Sequence, residues 1–393
     1  MFKQITRTVW FISLISLFND CSSEMLYPIF PLYLAQIGYG TVFIGFMEGV
    51  AECVAGLTKI YTGSLSDKFQ KRLPFIQVGY ALSILSKPII GLLQYAFPIL
   101  LSRTSDRIGK GIRSGARDAM LGDESTYENR AEVFGFHRSM DTIGAIIGPL
   151  IAMLYLHFHP DDYKTIFLIT IVPGIFALVI TFLLKDKKME STQVKTSYTG
   201  FSHFTYLKRA PKAYIIFLIP LLIFSLINSS DMFLLLRAKE IGFSTDKTIF
   251  LYLLFNIAFA LFAYPIGKLA DKFGRMRMLK FGLCLYAIAY FIFASADTYW
   301  AIVVGFILYG LYYAFTQGII KTIFISLVPA NEKASAIGLY EGINSFGLLF
   351  ASFFAGIIWN WQGSNFLFFT TASICFLIVL CMQILNKKFS IKK

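Results

Sequence analysis

The sequence predicts an all-α, polytopic membrane protein. Twelve transmembrane helices are expected, as two six-helix bundles related by pseudo-two-fold symmetry. Three observations carry this. Of 393 residues, 56% are hydrophobic and only 15% charged, against about 25% charged in an ordinary soluble domain. The apolar residues, with 41 Phe and 21 Tyr among them, run in long stretches that do not alternate as a β-barrel strand would. Lys and Arg are dense in every second loop and nearly missing from the others. Twelve spans of about 20 residues need roughly 240, which the chain holds with short loops to spare. A soluble enzyme, a disulfide-built secreted domain and a nucleic-acid binder are excluded with it. The net charge of +13 reads as a positive-inside bias and contact with anionic lipid.

In chain order the apolar spans read 8–37, 41–64, 74–94, 96–118, 132–156, 164–184, 214–236, 245–266, 279–296, 299–322, 335–358 and 364–386. Basic residues precede span 1 (Lys3, Arg7) and follow span 2 (Lys68, Lys71, Arg72), span 4 (Arg117, Arg130) and span 6 (Lys185, Lys187, Lys188, Lys208, Arg209, Lys212). They recur after span 8 (Lys272, Arg275, Arg277, Lys280) and at the end (Lys387, Lys388, Lys392, Lys393). Lys164 and Lys247 are the main basic residues of the other loops. The alternation places both termini in the cytoplasm. Trp300, Trp359 and Trp361 then fall at outer span ends.

The polar stretch 185–212 divides the spans six and six. An N-terminal bundle is expected over 1–188, a cytoplasmic linker over 189–212 and a C-terminal bundle over 213–393. The halves repeat. Gly38, Gly63 and Asp67 return as Gly242, Gly267 and Asp271, and Gly135, Asp141 and Gly144 return as Gly338, Asn344 and Gly347. Such duplication places a substrate site between repeats near the midplane. The five cysteines sit in apolar spans without ligand spacing. His157 and His159 share a loop with Asp161 and Asp162, read as solvated. No metal, no cofactor and no catalytic motif is expected, so the protein is not an enzyme. Without a Walker-type loop, ATP is not its energy source.

The fourth span is the most unusual. Arg103, Asp106, Arg107, Lys110, Arg113 and Arg117 share a helical stripe about 120° wide, with Asp118 beside it. Ionisable groups in the bilayer centre cost several kcal/mol unless they face a polar interior. Counter-charges are at hand: Asp20 and Glu24 share a face of span 1, and Glu48 and Glu52 a face of span 2. Such a set is either static glue between helices 1, 2 and 4 or a proton site. The second half is poorer in charge. Asn228, Ser230, Asp231, Asn256, Gln317, Lys321, Glu341 and Asn344 are its polar set, and Tyr309, Tyr312, Tyr313 and Phe315 form an aromatic run in span 10.

Gly63-Ser-Leu-Ser-Asp67-Lys68-Phe-Gln70-Lys71-Arg72 resembles the loop 2–3 signature of the major facilitator superfamily. Gly267-Lys-Leu-Ala-Asp271-Lys272-Phe-Gly274-Arg275 resembles its repeat in loop 8–9. The resemblance covers the whole chain. It implies two gating loops: Gly63 and Gly267 for close helix approach, Asp67 and Asp271 to cap and latch, Arg72 and Arg275 as inner-leaflet anchors. Arg107-Ile-Gly-Lys110-Gly111 resembles the helix 4 signature, with Lys110 where a Gln is usual. The run Asp106-Arg-Ile-Gly-Lys-Gly-Ile-Arg resembles a bacterial branch with a basic helix 4. Gly144, Gly148 and Pro149 resemble the helix 5 signature of the antiporters, truncated at Ala152 and Met153.

The resemblance implies a secondary active transporter of the bacterial inner membrane. It would work by alternating access as a monomer, driven by the proton gradient. Proton-coupled export of a small organic solute is the leading expectation, the solute being anionic or zwitterionic. Asp20, Glu24, Glu48, Glu52, Arg103, Arg107, Lys110 and Asp231 are the expected coupling and cavity residues. Uptake of an organic anion or siderophore is the alternative within transport. A non-transporting sensor or lipid-moving protein is the alternative outside it, although a receptor has no need of two latches.

Overall fold

The computed structural model describes residues 5–69, 71–125, 130–186, 207, 209–329 and 332–389. Among them the elements are helical: α1 (Arg7–Leu26), α2 (Phe30–Gln36), α3 (Thr41–Phe69), α4 (Leu73–Leu92), α5 (Ala96–Asp123), α6 (Arg130–Phe158), α7 (Tyr163–Ile169) and α8 (Ile171–Thr181), then α9 (Lys212–Ser225), α10 (Met232–Glu240), α11 (Thr245–Phe273), α12 (Arg275–Ser295), α13 (Tyr299–Ser326) and α14 (Lys333–Phe389). Eight stretches are long and apolar enough to cross a membrane: α3, α4, α6, α7 with α8, α11, α12, α13 and α14. α14 holds two helices joined at Gly363, whose φ of 84° breaks the helical path. α1, α5 and α9 with α10 supply the remaining spans. The charges of α5 lower its hydropathy, and α9 is only 14 residues long.

The residues fall into two compact units: Met1–Tyr33 with Val50–Gly200, and Leu34–Gly49 with Phe201–Lys393. The division crosses α3, so a helix expected to lie whole in the first bundle contributes its opening turns to the second unit. Of the expected linker 189–212, only 207 and 209–212 are described.

Two spans expected as single helices unwind, while a third, over 164–184, is divided only at Thr170, whose dihedrals stay helical. α1 ends at Leu26 because Pro28 has no N–H to continue the ladder and its ring crowds the preceding turn. The span over 214–236 unwinds at Leu226–Asp231, between α9 and α10. There the side chains of Ser230 and of Ser352 in α14 serve the backbone instead. Ser230 N donates to Ser352 Oγ at 3.1 Å, and Ser230 Oγ accepts from Met232 N at 3.4 Å.

The sequence repeat reappears in hydrogen bonds. After α2, Gly38 sits at φ 93°, its N–H donating to Ala35 O and that of Tyr39 to Leu34 O. After α10, Gly242 sits at φ 100°, its N–H donating to Lys239 O and that of Phe243 to Ala238 O. Both are Schellman caps, whose positive φ glycine supplies without strain. Packing repeats as well. In the first unit α1 lies against α6, and α4 against α5; in the second, α9 lies against α14, and α12 against α13.

Arg237, 6% exposed at the end of α10, donates to Phe293 O at 3.0 Å, Glu240 at 2.9 Å and Ser364 Oγ at 2.9 Å. It closes the end of α12 onto α10 and α14. Arg237 and Lys239 thus join Lys164 and Lys247 as basic residues of the loops expected to be nearly bare.

Asp162, outside the spans, caps α7 by accepting from Thr165 N at 3.3 Å and takes the Tyr155 hydroxyl at 2.7 Å. These bonds, the tyrosine's first, hold its carboxyl below the ordinary 3.8. A depressed folded pKa gives a contribution that is present above the unfolded value and lost as pH falls through the folded one. Fraying of the first turn of α7 is therefore expected below about pH 4. Hydrogen exchange of the Lys164–Phe167 amides should report it, and D162N should remove the pH dependence.

Candidate functional site

The first unit gathers its charges on one side of α5. Arg103, Asp106, Arg107 and Arg113 are 4–6% exposed, whereas Lys110 is exposed. Glycine makes this possible. A Cβ on Gly109 of α5 would lie 2.8 Å from Ser83 Oγ, and one on Gly79 of α4 would lie 2.7 Å from Gly109 O. On another face of α5, a Cβ at Gly111 would lie 2.7 Å from Ala55 O of α3. α5 is thereby held against both α3 and α4 at backbone distance.

The contacts are specific. Arg107 Nε lies 3.0 Å from Glu52 Oε1 of α3. Arg103 Nη1 lies 3.7 Å from Asp106 Oδ2, with its guanidinium 5.0 Å from the Phe30 ring centre. Arg113 donates to Ser83 Oγ at 2.6 Å and covers the Tyr80 ring at 4.8 Å. Arg117 holds Asp118 at 3.1 Å and donates to Ser16 Oγ of α1 at 3.1 Å. Asp20 accepts from Asn19 Nδ2 at 3.1 Å. Glu24 is half-buried, one turn further along α1.

Glu52 and Glu48 part company. Glu48, 1% exposed, lies in the α3 segment that clusters with the second unit. Helical spacing puts the two acids on one face, but cannot say which helices that face meets.

A cation absent from the sequence-based set completes the group. Lys87 of α4, 3% exposed, donates to Ser22 Oγ at 2.8 Å and Ser23 Oγ at 2.9 Å of α1. Its neighbours form a hydroxyl chain: Ser86 Oγ donates to Ser83 O at 3.0 Å, Ser83 Oγ to Asp106 O at 3.1 Å, and Ser102 Oγ to Ser86 O. A single lysine beside Pro88 in an otherwise apolar span was the available signal. The cations Lys87, Arg103, Arg107, Lys110, Arg113 and Arg117 thus share this side of the unit with the acids Asp20, Glu24, Glu52, Asp106 and Asp118.

The start of α6 adds His137 and Asp141, 3.6 Å apart and both buried, with Arg138 at 3.7 Å from Asp141. Along α6, a Cβ on Gly144 would press on Leu17 O and lie 3.1 Å from Cys21 N. One on Gly148 would press on Cys21 O and lie 2.8 Å from Met25 N. Pro149 follows inside the helix. Gly135 meets open space.

Of the loop motifs, Gly63, Asp67 and Asp271 have backbones in α3 and α11, while their side chains and surroundings lie outside the described residues. Gly267 meets open space, so no close helix approach depends on it here. Arg275 is half-buried. Arg72 is not a surface anchor: 7% exposed, it donates to Ser66 Oγ at 2.9 Å and lies 3.7 Å from Asp123. Asp186 accepts from the Arg72 and Leu73 N–H groups at 3.1 and 3.0 Å. The orphan donors at the start of α4 explain why an acid is needed there.

In the second unit, Asp231 opens α10 at the end of the unwound stretch. Tyr309 of α13 donates to its Oδ1 at 2.5 Å and Tyr313 to its Oδ2 at 3.2 Å. Phe255 of α11 lies 5.4 and 5.2 Å from those two rings. Lys321 of α13 donates to Glu341 of α14 at 2.7 Å. Both members were visible in the sequence; their pairing was not.

Residues 12–252 and 232–388 match the sequence model of the Major Facilitator Superfamily. The chain belongs to that superfamily. An uncharacterised MFS-type transporter of Methanocaldococcus jannaschii is 32% identical to this facilitator over 364 residues, 91% of this chain and 90% of its own. Multidrug resistance protein 1 of Bacillus subtilis is 20% identical over 383 residues, 96% of each chain. Two solved structures share the fold. The nucleoside transporter NupG has a TM-score of 0.78 at 15% identity, over 97% of this chain and 100% of its own. A POT family transporter in complex with 5-aminolevulinic acid has a TM-score of 0.82 at 14% identity, over 98% of each. This facilitator is a multi-pass secondary transporter, and its relatives include an archaeal as well as bacterial proteins.

Proposed function

We propose that this facilitator exports a small organic solute in exchange for protons, by alternating access, as a monomer in a bacterial inner membrane with both termini in the cytoplasm. The halves 1–188 and 213–393 are its moving bodies, joined by 189–212. The motifs around Asp67 and Asp271 are its cytoplasmic latches. The proton gradient supplies the energy, and no bound cofactor is needed.

The observation that carries the coupling is the Glu52–Arg107 pair at 3.0 Å, set among the acids and bases gathered around α5. Adding one proton, or one charged solute, unbalances such a group, so the two events compete for the same acids. Arg103, Arg107 and Lys110 suit a carboxylate on the solute, which supports an anionic or zwitterionic compound. The structurally similar transporter with 5-aminolevulinic acid binds such a zwitterion. The Bacillus relative named for multidrug resistance supports export.

The test is solute-induced proton flux in proteoliposomes carrying an internal pH dye. A panel of drugs, siderophores, amino acids and organic acids is added outside, with protein-free vesicles as control. Entry of a solute by antiport makes the interior more alkaline, and symport makes it more acidic. D20N and E52Q are each expected to lower the flux at least about tenfold. Proton-driven transport that survives in both variants would make the charges static glue; acidification would make the protein an importer.

A further inference from the structure

The start of α6 carries a buried pair that the coupling group leaves out. His137 and Asp141 are 4% and 6% exposed and one helical turn apart, with Nε2 3.6 Å from Oδ2. Neither nitrogen of the ring has a hydrogen-bond partner among the described residues, and neither has Asp141 Oδ1. Arg237, by contrast, donates to Phe293 O, Glu240 and Ser364. A polar side chain that serves as glue is bonded in this way, because an unmade bond in the interior costs stability.

The sequence repeat shows what the fold needs at this place. Gly144 returns as Gly347, and both pack tightly: a Cβ would press on Leu17 O in the first unit and on Ser225 in the second. At the same spacing His137 and Asp141 return as Tyr340 and Asn344. The second copy keeps the glycine and dispenses with groups that exchange a proton near neutral pH. Helix packing alone therefore does not call for the pair.

α1 and α6 run in the same direction along their seam, since Gly144 sits over Leu17 and Cys21, and Gly148 over Cys21 and Met25. Asp20 thus stands near the level of Gly144, Asp141 about one turn nearer the start of α6 and His137 one turn beyond it. Asp20 and Asp141 are electrostatic neighbours. Ser16, one turn before Asp20, accepts from Arg117 at 3.1 Å and keeps its own proton for another acceptor. Ser13 Oγ and Asn19 Oδ1 of α1 are also buried with no hydrogen-bond partner among the described residues. The charged groups that act on Asp20 and on the pair are Lys110, Arg113, Arg117 and Asp118 of α5 and Arg138 of α6. Arg138 is exposed and lies 3.7 Å from Asp141, so the pair is one side chain from the surface.

We infer that Asp141 and His137 pass a proton between Asp20 and the start of α6. The inference rests on the proposed proton coupling for its purpose, and adds the route. Asp20 gives its proton to the Asp141 carboxylate, which hands it to one ring nitrogen of His137. The imidazole then releases the proton of its other nitrogen. Asp141 and His137 each return to the charge they started with, and one proton has moved.

The test follows the proton itself. Full-length protein in lipid nanodiscs receives a laser-released proton pulse from a caged acid, and time-resolved infrared absorption follows the carboxylic acid C=O band. D20N identifies the part of the band that belongs to Asp20. H137Q and D141N are expected to slow protonation of Asp20 at least about tenfold, and D141E to stay within about threefold of wild type. The final extent of protonation in H137Q should match wild type, since a route sets the rate only. Should H137Q fail to fold, D141N against D141E carries the test. Equal rates in wild type, H137Q and D141N overturn the route. So does a change of extent at an unchanged rate in H137Q, or a band that D20N leaves intact. Proton flux in the proteoliposomes is a separate readout. Slowed protonation in H137Q without coupled flux in the wild type refutes coupling and leaves the route standing; coupled flux with unchanged protonation in H137Q does the reverse.

Discussion

E52Q is expected to lower the stability of the first unit by about 2–3 kcal/mol and to abolish coupled transport. The cause is Arg107, 5% exposed, which would keep its charge and lose the carboxylate 3.0 Å from its Nε. Removing one member of a buried pair typically costs about 3–5 kcal/mol. The lower figure applies because the Glu52 side chain retains 27% of its exposure. The double variant E52Q/R107M separates the pair's two possible roles. With both charges gone, no orphan remains, and replacement of a buried pair by apolar groups is often neutral. Thermal unfolding of E52Q/R107M should return to within about 1 kcal/mol of wild type, while transport stays absent. Recovery of both would leave the pair a structural bond only. Recovery of neither would show that Arg107 is held by more than Glu52.

G148L is expected to be the most damaging single substitution among the glycines named here, at about 3 kcal/mol or more. The atoms that a side chain would meet, Cys21 O and Met25 N, belong to the backbone of α1 and cannot turn aside as a flexible side chain can. α1 would have to move away from α6 along its length, taking Asn19, Asp20 and Glu24 with it. G135A supplies the control on the same helix, because its Cβ would enter open space. That change should fall within about 1 kcal/mol of wild type, with alanine's better helix propensity in its favour. Thermal melts of the purified variants, followed by size-exclusion fluorescence, decide between them.

The helices were legible because hydropathy and charge alternation report a bilayer directly, and each of the twelve stretches found its helix or broken pair of helices. The duplication was legible too, since Gly38 and Gly242 mark the same cap. The break at Leu226–Asp231 was hidden: serine and asparagine are tolerated in a helix, and only their partners, Ser352 above all, show that here they replace it. Periodicity placed Arg103 and Arg107 on one stripe, yet partners come from other helices, and spacing within one span carries no information on those. Lys87 was overlooked because one charge in an apolar span does little to its average. Arg72 was misplaced for the opposite reason. A basic loop reads as surface, while the unsatisfied amides at the start of α4 drew Asp186 in over it.

The serines around Lys87 have a consequence for how the first unit tolerates change. Ser22 and Ser23 receive its N–H bonds, but a hydroxyl can give a proton as readily as it can take one. Carboxylate partners would fix the polarity of the cluster and resist any shift in its charge. Hydroxyl partners do not: each accepts from the ammonium through a lone pair and keeps its own proton for another acceptor, as Ser22 does toward Thr170 O at 2.8 Å. α1 and α4 are thus tied by links that hold position and set no fixed negative charge against the ammonium. A membrane protein built on such links can change what it carries without first coming apart.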